Sequence, residues 1–256
     1  MKPLIVANWK SYFRAEESAV RAAQIDEAAE AHGAVDVVVC PSFIAIPAVA
    51  DAMAFATTGA QNLWIGEGNS TGEVTPEQVA EFCSTVIIGH SERRSLFHED
   101  AVLNAKKIRA ALDASLVVVL AIGESAAERR AGKTSRVLST MLTQSLKNVR
   151  PKDVGSLVIA YEPAWAISTG KAGSGKNAKP ADVAKALTLI QSVLQKKFGA
   201  AARKVRLLYG GSTDDKNCAS YFALPMVDGA LVGAASRTPA TFERMIQTLA
   251  QLKGAN

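Results

Sequence analysis

Three side chains that could move protons or hold an anion stand at the ends of short apolar runs. Lys10 follows the run over residues 4–8, His90 follows the run over residues 85–89, and Glu162 closes the run over residues 157–162. A carboxylate can act as a general base, an imidazole can polarise an oxygen, and an ammonium group can stabilise a phosphate or a developing oxyanion. Each residue also has an ordinary explanation: a surface lysine, a hydrogen-bonded histidine or a salt-bridged carboxylate. None of the three residues by itself excludes that explanation.

The neighbouring residues indicate how these side chains are held. Asn8 and Lys10 are two positions apart, so we expect an extended backbone to direct both side chains the same way. His90 stands where a strand gives way to a helix, whose positive end favours the uncharged ring. Pro163 biases Glu162 away from helical geometry, so we expect its carboxylate to project from the strand end.

One segment and two later turns complete the candidate functional elements. Residues 164–171 are mostly apolar with Gly170 near their end, which is typical of a lid with hinges. Gly210-Gly211-Ser212 and Gly233-Ala234-Ala235-Ser236 each follow a predicted strand, where glycine lets backbone N–H groups approach a phosphate. Either turn alone is more often a simple turn, but together they predict a phosphate site in the last two strand-end loops.

The composition excludes several classes of protein. Of the 256 residues, 48% are hydrophobic and 21% are charged, as in a folded protein with a large core. The formal net charge is only +5 and the basic pairs are scattered through helix-like stretches, so we expect no nucleic-acid partner. The longest apolar run, over residues 116–122, is too short to cross a bilayer, so we expect no membrane partner. Without a recognisable signal peptide, we expect a cytoplasmic protein.

The cysteines and histidines argue against a metal site and a disulfide framework. Cys40, Cys83 and Cys218 are odd in number and far apart, which suits a reducing compartment. No two histidines have the spacing of metal ligands. We therefore expect no metal site and no disulfide framework.

Eight short apolar runs alternate with helix-like stretches, and we expect one domain over residues 1–256 because no linker divides them. The third run, Ala-Thr-Thr-Gly, is the weakest, and the helix-like stretches include residues 15–32 and 180–198 and one that opens at Thr75-Pro76. Such runs are typical of strands buried on both faces of a parallel sheet, either doubly wound or closed as a barrel. The predicted strands cover residues 4–8, 35–40, 56–61, 85–89, 116–123, 157–162, 205–210 and 229–233.

Taken in order, these motifs resemble the triosephosphate isomerase family from one end of the chain to the other. The most specific are the Gly89-His90-Ser91-Glu92-Arg93-Arg94 stretch and Tyr161-Glu162-Pro163 with the lid after it. The other matching stretches are Ala7-Asn8-Trp9-Lys10, Gly59-Ala60-Gln61-Asn62, Thr71-Gly72-Glu73-Val74, Ile122-Gly123-Glu124, Tyr209-Gly210-Gly211-Ser212 and Asp228-Gly229-Ala230-Leu231-Val232-Gly233. The resemblance implies a single-domain (β/α)8 TIM barrel. It also implies a cofactor-free enzyme of glycolysis and gluconeogenesis that interconverts dihydroxyacetone phosphate and D-glyceraldehyde 3-phosphate.

The resemblance also implies a role for each chemical group. Glu162 would be the base that moves a proton between the two carbons of an enediolate. His90, uncharged, would polarise the carbonyl and shuttle protons between the oxygens. Lys10 and Asn8 would stabilise the negative charge of the enediolate and position the substrate, and Glu92 would support them from the start of the helix.

The phosphate of the substrate would be held by backbone around Ser168, Ser212, Gly233 and Ala234. Ser168 and Ala234 depart from the family pattern, which has glycine at both positions. The backbone N–H groups remain at both positions, so we expect an active enzyme, although a Cβ there could crowd the phosphate or restrict the lid.

The segment Thr71-Gly72-Glu73 matches the family's interdigitating loop, in which the threonine reaches the active site of a neighbouring subunit. The resemblance therefore implies a homodimer.

Three other functions stay open at this point. One is an isomerase of another small phosphorylated ketose, since the loops set the length of the pocket. A second is a catalytically silent phosphate-binding barrel, against which the joint presence of Lys10, His90 and Glu162 argues. A third is an aldolase that forms a Schiff base through Lys10, because a lysine at a strand end is a suitable nucleophile.

Overall fold

The strands form a closed parallel barrel in chain order, in a computed structural model that describes residues 1–66, 69–167 and 177–254. The barrel closes because the first strand pairs with the eighth as well as the second, with Leu4 opposite Gly229 and Ala7 opposite Val232. This closure confirms the predicted TIM barrel and excludes the doubly wound sheet. The strands are β1 (Leu4–Asn8), β2 (Asp36–Cys40), β3 (Thr57–Ala60), β4 (Thr85–Ile88), β5 (Val117–Ile122), β6 (Leu157–Tyr161), β7 (Arg206–Tyr209) and β8 (Gly229–Val232).

Ten α-helices are formed by the described residues, and none of them is long and apolar enough to cross a membrane. The predicted helix over residues 180–198 is confirmed, and the one over residues 15–32 ends one residue early. Thr75 caps the third helix: its hydroxyl accepts from the N–H of Gln78, whose side chain accepts from the N–H of Thr75. The helices are α1 (Ala15–Ala31), α2 (Ile46–Asp51), α3 (Pro76–Ala80), α4 (Ser91–Leu96), α5 (Ala101–Asp113), α6 (Ala126–Arg130), α7 (Thr134–Ser145), α8 (Pro180–Phe198), α9 (Cys218–Phe222) and α10 (Pro239–Lys253).

The near-continuous apolar runs are explained by two separate cores. Alternate strand residues such as Leu4 and Val6 fill the barrel interior, together with Val158 and Ala160. The residues between them, such as Ile5, pack against the surrounding helices in a larger core. Because each strand is buried on both faces, polar residues are expected only where a strand ends.

The strand with the weakest sequence signal, β3, forms because its small residues fit a crowded place. A Cβ on Gly59 would lie 2.7 Å from Cys40 Sγ and 2.9 Å from Val38 Cγ1, both on β2. Glycine therefore permits close approach of β3 to β2, a packing advantage that a β-propensity scale does not register.

Candidate active site

A cavity of about 550 Å³ lies at the carboxyl end of the barrel strands, where active sites of this architecture form. Most of the predicted site residues line it, Glu92 lies beside it in contact with Lys10, and Ser168 is outside the described residues. The predicted site residues that line it are Asn8, Lys10, His90, Glu162, Ser212, Gly233 and Ala234.

The alternation of the strands places Asn8 and Glu162 in this cavity. Asn8 continues the inward-facing series of Leu4 and Val6, and Glu162 continues that of Val158 and Ala160. Both side chains are therefore directed into the barrel at its carboxyl end. Asn8 is 5% exposed and Glu162 is 2% exposed, so each is a buried polar group that needs partners.

The carboxylate of Glu162 finds two hydrogen-bond donors from the loop after β4. Its Oε1 lies 2.7 Å from His90 Nε2, and its Oε2 accepts from the N–H of Ser91 at 2.9 Å. Burial raises the pKa of Glu162, but the hydrogen bond from His90, the nearby Arg94 and the N–H of Ser91 outweigh burial and lower that pKa below its ordinary value. Glu162 is therefore ionised in the free protein at neutral pH.

The position of His90 fixes which of its ring nitrogens carries the proton. His90 is the N-cap of α4, and its Nδ1 accepts the N–H of Glu92 at 3.2 Å. An accepting Nδ1 has no proton, so the neutral ring carries its proton on Nε2, which faces Glu162. The helix N-terminus thus presents an uncharged donor to the cavity.

Lys10 reaches the cavity by a different route from the one predicted. The expected extended backbone from Asn8 to Lys10 is wrong, since Lys10 adopts a φ of 52° and its N–H donates to Asn8 Oδ1 at 3.1 Å. The side chain of Gln61 fixes this turn by donating to the carbonyls of Lys10 (2.7 Å) and Cys40 (2.9 Å). The ammonium group of Lys10 then lies 2.7 Å from Glu92 Oε1.

The two predicted phosphate loops also line the cavity, Gly210 next to Glu162 and Gly233 next to Lys10. Residues 210–212 follow β7, and Gly233 precedes a 3-10 turn over Ala234–Arg237 whose first N–H groups have no partner within the turn. Such N–H groups at the start of a helical turn suit an anion. The N–H of Ser212 donates to the carbonyl of Ala166 at 2.8 Å, so the first loop is tied to the segment after Glu162.

The second phosphate loop is held in place by Trp9, the residue between Asn8 and Lys10. Trp9 Nε1 donates to the carbonyl of Ser236 at 3.0 Å, and Ser236 Oγ donates back to the carbonyl of Gly233 at 2.7 Å. Both side chains are fully buried. The strand-end motif of β1 therefore supplies two groups to the cavity and also orders the neighbouring loop after β8.

The described part of the predicted lid, residues 164–167, is anchored to a buried carboxylate. Glu124, which is fully buried, accepts from Trp165 Nε1 at 3.0 Å and from the hydroxyl of Tyr161 at 3.2 Å. The guanidinium of Arg129 lies 4.2 Å from the centre of the Trp165 ring. The remaining predicted lid residues, 168–171, lie outside the described residues.

Four residues of the site received no role from the sequence. The backbone of Ser91 and the side chains of Gln61, Arg94 and Glu124 all lie within motifs that resemble the family, but their partners are distant in the chain. Arg94 donates to the carbonyls of Gly89, Ala121 and Gly123, and so joins the ends of β4 and β5. Membership of a matching motif was the only signal that could have identified them.

Comparison with known proteins agrees with this geometry. The family model described as triosephosphate isomerase matches residues 3–249. A triosephosphate isomerase of Symbiobacterium thermophilum is 38% identical, with 98% of each chain covered. Those of Hahella chejuensis and Nitratidesulfovibrio vulgaris are 39% and 40% identical, over 96% of this chain and 98% and 99% of theirs.

Proposed function

Because the chain belongs to the triosephosphate isomerase family, we propose that it interconverts dihydroxyacetone phosphate and D-glyceraldehyde 3-phosphate through an enediolate. The observation that carries this proposal is the contact between a buried carboxylate, Glu162, and a neutral imidazole, His90, in a cavity that also holds Lys10. Proton abstraction beside a carbonyl needs a base, an electrophile and an anion-stabilising cation, and these three groups supply them.

In the proposed mechanism, the substrate displaces the partners of Glu162. The phosphate binds between the loops at Ser212 and at Gly233 and Ala234, and it places the carbonyl oxygen near His90 Nε2 and the Lys10 ammonium group. Glu162 then exchanges its bonds from His90 and Ser91 for contact with the substrate carbon. The contacts with His90 and Ser91 are among the causes that lower its pKa, so their loss shifts the balance towards burial, raises the pKa and makes the carboxylate a stronger base.

The remaining steps return the proton to the neighbouring carbon. Glu162 removes a proton from one carbon of the substrate and delivers it to the adjacent carbon. His90 donates its Nε2 proton to the carbonyl oxygen and recovers a proton from the other oxygen. The Lys10 ammonium group and the amide of Asn8 stabilise the enediolate charge, while Glu92 keeps Lys10 in position through their 2.7 Å contact.

The same contact weighs against an aldolase that forms a Schiff base. A nucleophilic lysine needs a free amine, whereas the Lys10 ammonium group is held in an ion pair, 2.7 Å from Glu92 Oε1.

An assay of the full chain tests the proposed reaction. We expect rapid conversion of glyceraldehyde 3-phosphate in a coupled dehydrogenase assay, and loss of several orders of magnitude in the Glu162→Gln variant. Glu77→Gln, on the exposed first turn of α3, is the matched control and should be fully active. If the parent binds triose phosphate without turnover, a silent phosphate-binding barrel becomes the better assignment. If the parent converts a phosphorylated tetrulose faster than triose phosphate, the proposed substrate is wrong.

We also propose that residues 1–256 form one domain. We propose further that two copies of the chain associate through the loop that contains Thr71. Exposed apolar side chains support the association: Ile44 is 79% exposed and Phe97 is 59% exposed. Tyr12, Ile44 and Thr71 lie in the segments that follow β1, β2 and β3, and Phe97 follows α4, the helix after β4; these four strands are neighbours around the barrel. We therefore expect their exposed apolar side chains to lie near one another at the carboxyl end of the barrel.

Sedimentation tests the dimer. We expect the parent chain to sediment as a dimer and Ile44→Glu to shift it to a less active monomer. Phe55→Glu is a matched control, because Phe55 is 57% exposed but precedes β3 at the opposite end of the barrel. A fully active monomeric parent would contradict the proposal.

A further inference from the structure

A second cavity, of about 530 Å³, lies outside the barrel wall. It is lined by residues of α4, α5, α6 and α7 and by Gly123 after β5. It shares no lining residue with the active-site cavity among the described residues. Its volume is within the range of small-molecule sites, and no step of the reaction proposed above takes place in it.

The charges around this second cavity favour an anion. Arg94, Lys133 and Arg136 line it, while Glu128 is the one acidic residue of the described lining. The Oε2 atom of Glu128 is already occupied, since it accepts from the N–H and the hydroxyl of Ser125, both at 2.8 Å. The cavity therefore has an excess of positive charge.

Arg94 supplies a partly buried, oriented donor. Its Nη1 donates to the carbonyls of Gly89 and Ala121, and its Nη2 donates to the carbonyl of Gly123 at 3.2 Å. These bonds hold the guanidinium plane rigid and use three of its five N–H groups. The remaining N–H groups are charged donors that a carboxylate in the cavity can accept from.

A buried, neutral hydrogen-bond acceptor at the same cavity requires a hydrogen-bond donor on the ligand. Asn104 is 2% exposed and lines the cavity, and its Oδ1 has no hydrogen-bond partner in the described part of the chain. A buried amide oxygen without a partner costs free energy that a hydroxyl group would recover. A ligand ammonium group would suit Oδ1 equally, but the three surrounding cations repel it.

The rest of the lining is apolar or small. Ala101, Val137 and Met141 cover the side between α5 and α7, and the side chain of Met141 adapts readily to the shape of a hydrocarbon. The ligand should therefore have a short hydrocarbon chain beside its polar end.

We propose that this cavity is a binding site for a small hydroxy-carboxylate with a short branched hydrocarbon chain. The carboxylate pairs with Arg94 and the rim cations Lys133 and Arg136, the hydroxyl donates to Asn104, and the hydrocarbon packs on Val137 and Met141. Arg94 also lies near Glu162, but the two cavities share no lining residue among the described residues, so binding here and turnover in the barrel are measured separately.

Calorimetric titration of the full chain with 2-hydroxy-4-methylpentanoate tests the site. We expect a dissociation constant on the order of 1 mM, as suits a ligand of this size. The corresponding amide, which lacks the charge, and 4-methylpentanoate, which lacks the hydroxyl, should each bind about fivefold more weakly. Absence of binding, or equal binding of all three compounds, would overturn the proposal.

Paired variants locate the binding. Arg136→Gln should weaken binding about fivefold, since an exposed cation contributes modestly. Arg130→Gln, an exposed arginine of α6 outside the cavity lining, should leave binding unchanged. Asn104→Ala should remove the preference for the hydroxy acid over 4-methylpentanoate. Equal effects of the two arginine variants, or a preference that survives Asn104→Ala, would refute the site.

Discussion

Shortening Glu162 to aspartate is a sharp test of how closely the base must be placed. In the free protein the Glu162 carboxylate is set by two contacts, 2.7 Å to His90 Nε2 and 2.9 Å to the N–H of Ser91. Aspartate keeps the charge and the buried position but removes one methylene group. The carboxylate is then withdrawn by about 1.5 Å, the length of one carbon–carbon bond.

The expected loss follows from that displacement. A misplacement of about 1 Å at a reacting group can reduce the rate about 100-fold, so a withdrawal of about 1.5 Å should reduce kcat by about 100- to 1,000-fold. That loss corresponds to about 3–4 kcal/mol of activation free energy. The phosphate loops and Lys10 are untouched, so KM should change by less than about threefold.

Steady-state kinetics in both directions measure this effect. Glu77→Asp, the same change at an exposed position on α3, is the control and should match the parent. Glu162→Asp with kcat within tenfold of the parent would refute the reasoning, because a base that tolerates such a displacement is not positioned by these contacts. A large rise in KM with unchanged kcat would instead assign Glu162 to substrate binding.

Three further predictions follow from the structure. The carboxyl carbon of Glu162, identified in 13C spectra by its loss in Glu162→Gln, should titrate with a midpoint below the ordinary 4.5, and a midpoint above that value would contradict the assigned contacts. Gly123→Ala should lower the midpoint of thermal unfolding and the activity together, since its Cβ would overlap the carbonyl oxygen of Glu162, whereas Gly155→Ala, which meets open space, should change neither. The hydrogen bond from Arg150 lowers the pKa of Asp153. The pair therefore stabilises the fold fully above the unfolded-state pKa, near 3.8, and stabilises it progressively less as the pH falls below that value. Asp153→Asn should therefore cost about 1 kcal/mol in urea unfolding at pH 7, a difference that shrinks below pH 4; a constant difference would exclude the ion pair as its cause.

The strands could be predicted because a barrel strand is buried on both faces. Its residues alternate between the interior, as Leu4 and Val6 do, and the helix layer, as Ile5 does, so the apolar run is continuous. Closure could not be predicted from periodicity, because it depends on the pairing of β1 with β8 across the whole chain. The resemblance to a known family indicated the closed barrel, which the local pattern could not distinguish from a doubly wound sheet.

The residues of the site likewise divide into those that the sequence could predict and those that it could not. Glu162 and His90 follow strands directly, and strand-end position is visible in the sequence. The turn at Lys10 could not be predicted, because a φ of 52° is fixed there by a bond to Asn8 and by Gln61 from a loop 51 residues away. The cavity at Arg94 could not be predicted from the sequence either, because it forms only where α5 and α7 pack beside the barrel.

The central claim is that Glu162 carries a proton between two carbons by way of an enediolate. Conversion of dihydroxyacetone phosphate in deuterium oxide, followed by NMR spectroscopy of the product, tests that claim most directly. Partial exchange with solvent of the proton held on Glu162 predicts a product in which some molecules carry deuterium at the carbon that receives the proton and the rest retain hydrogen, at a total rate that collapses in Glu162→Gln. Isomerisation or deuterium incorporation at an unchanged rate in Glu162→Gln would contradict the mechanism.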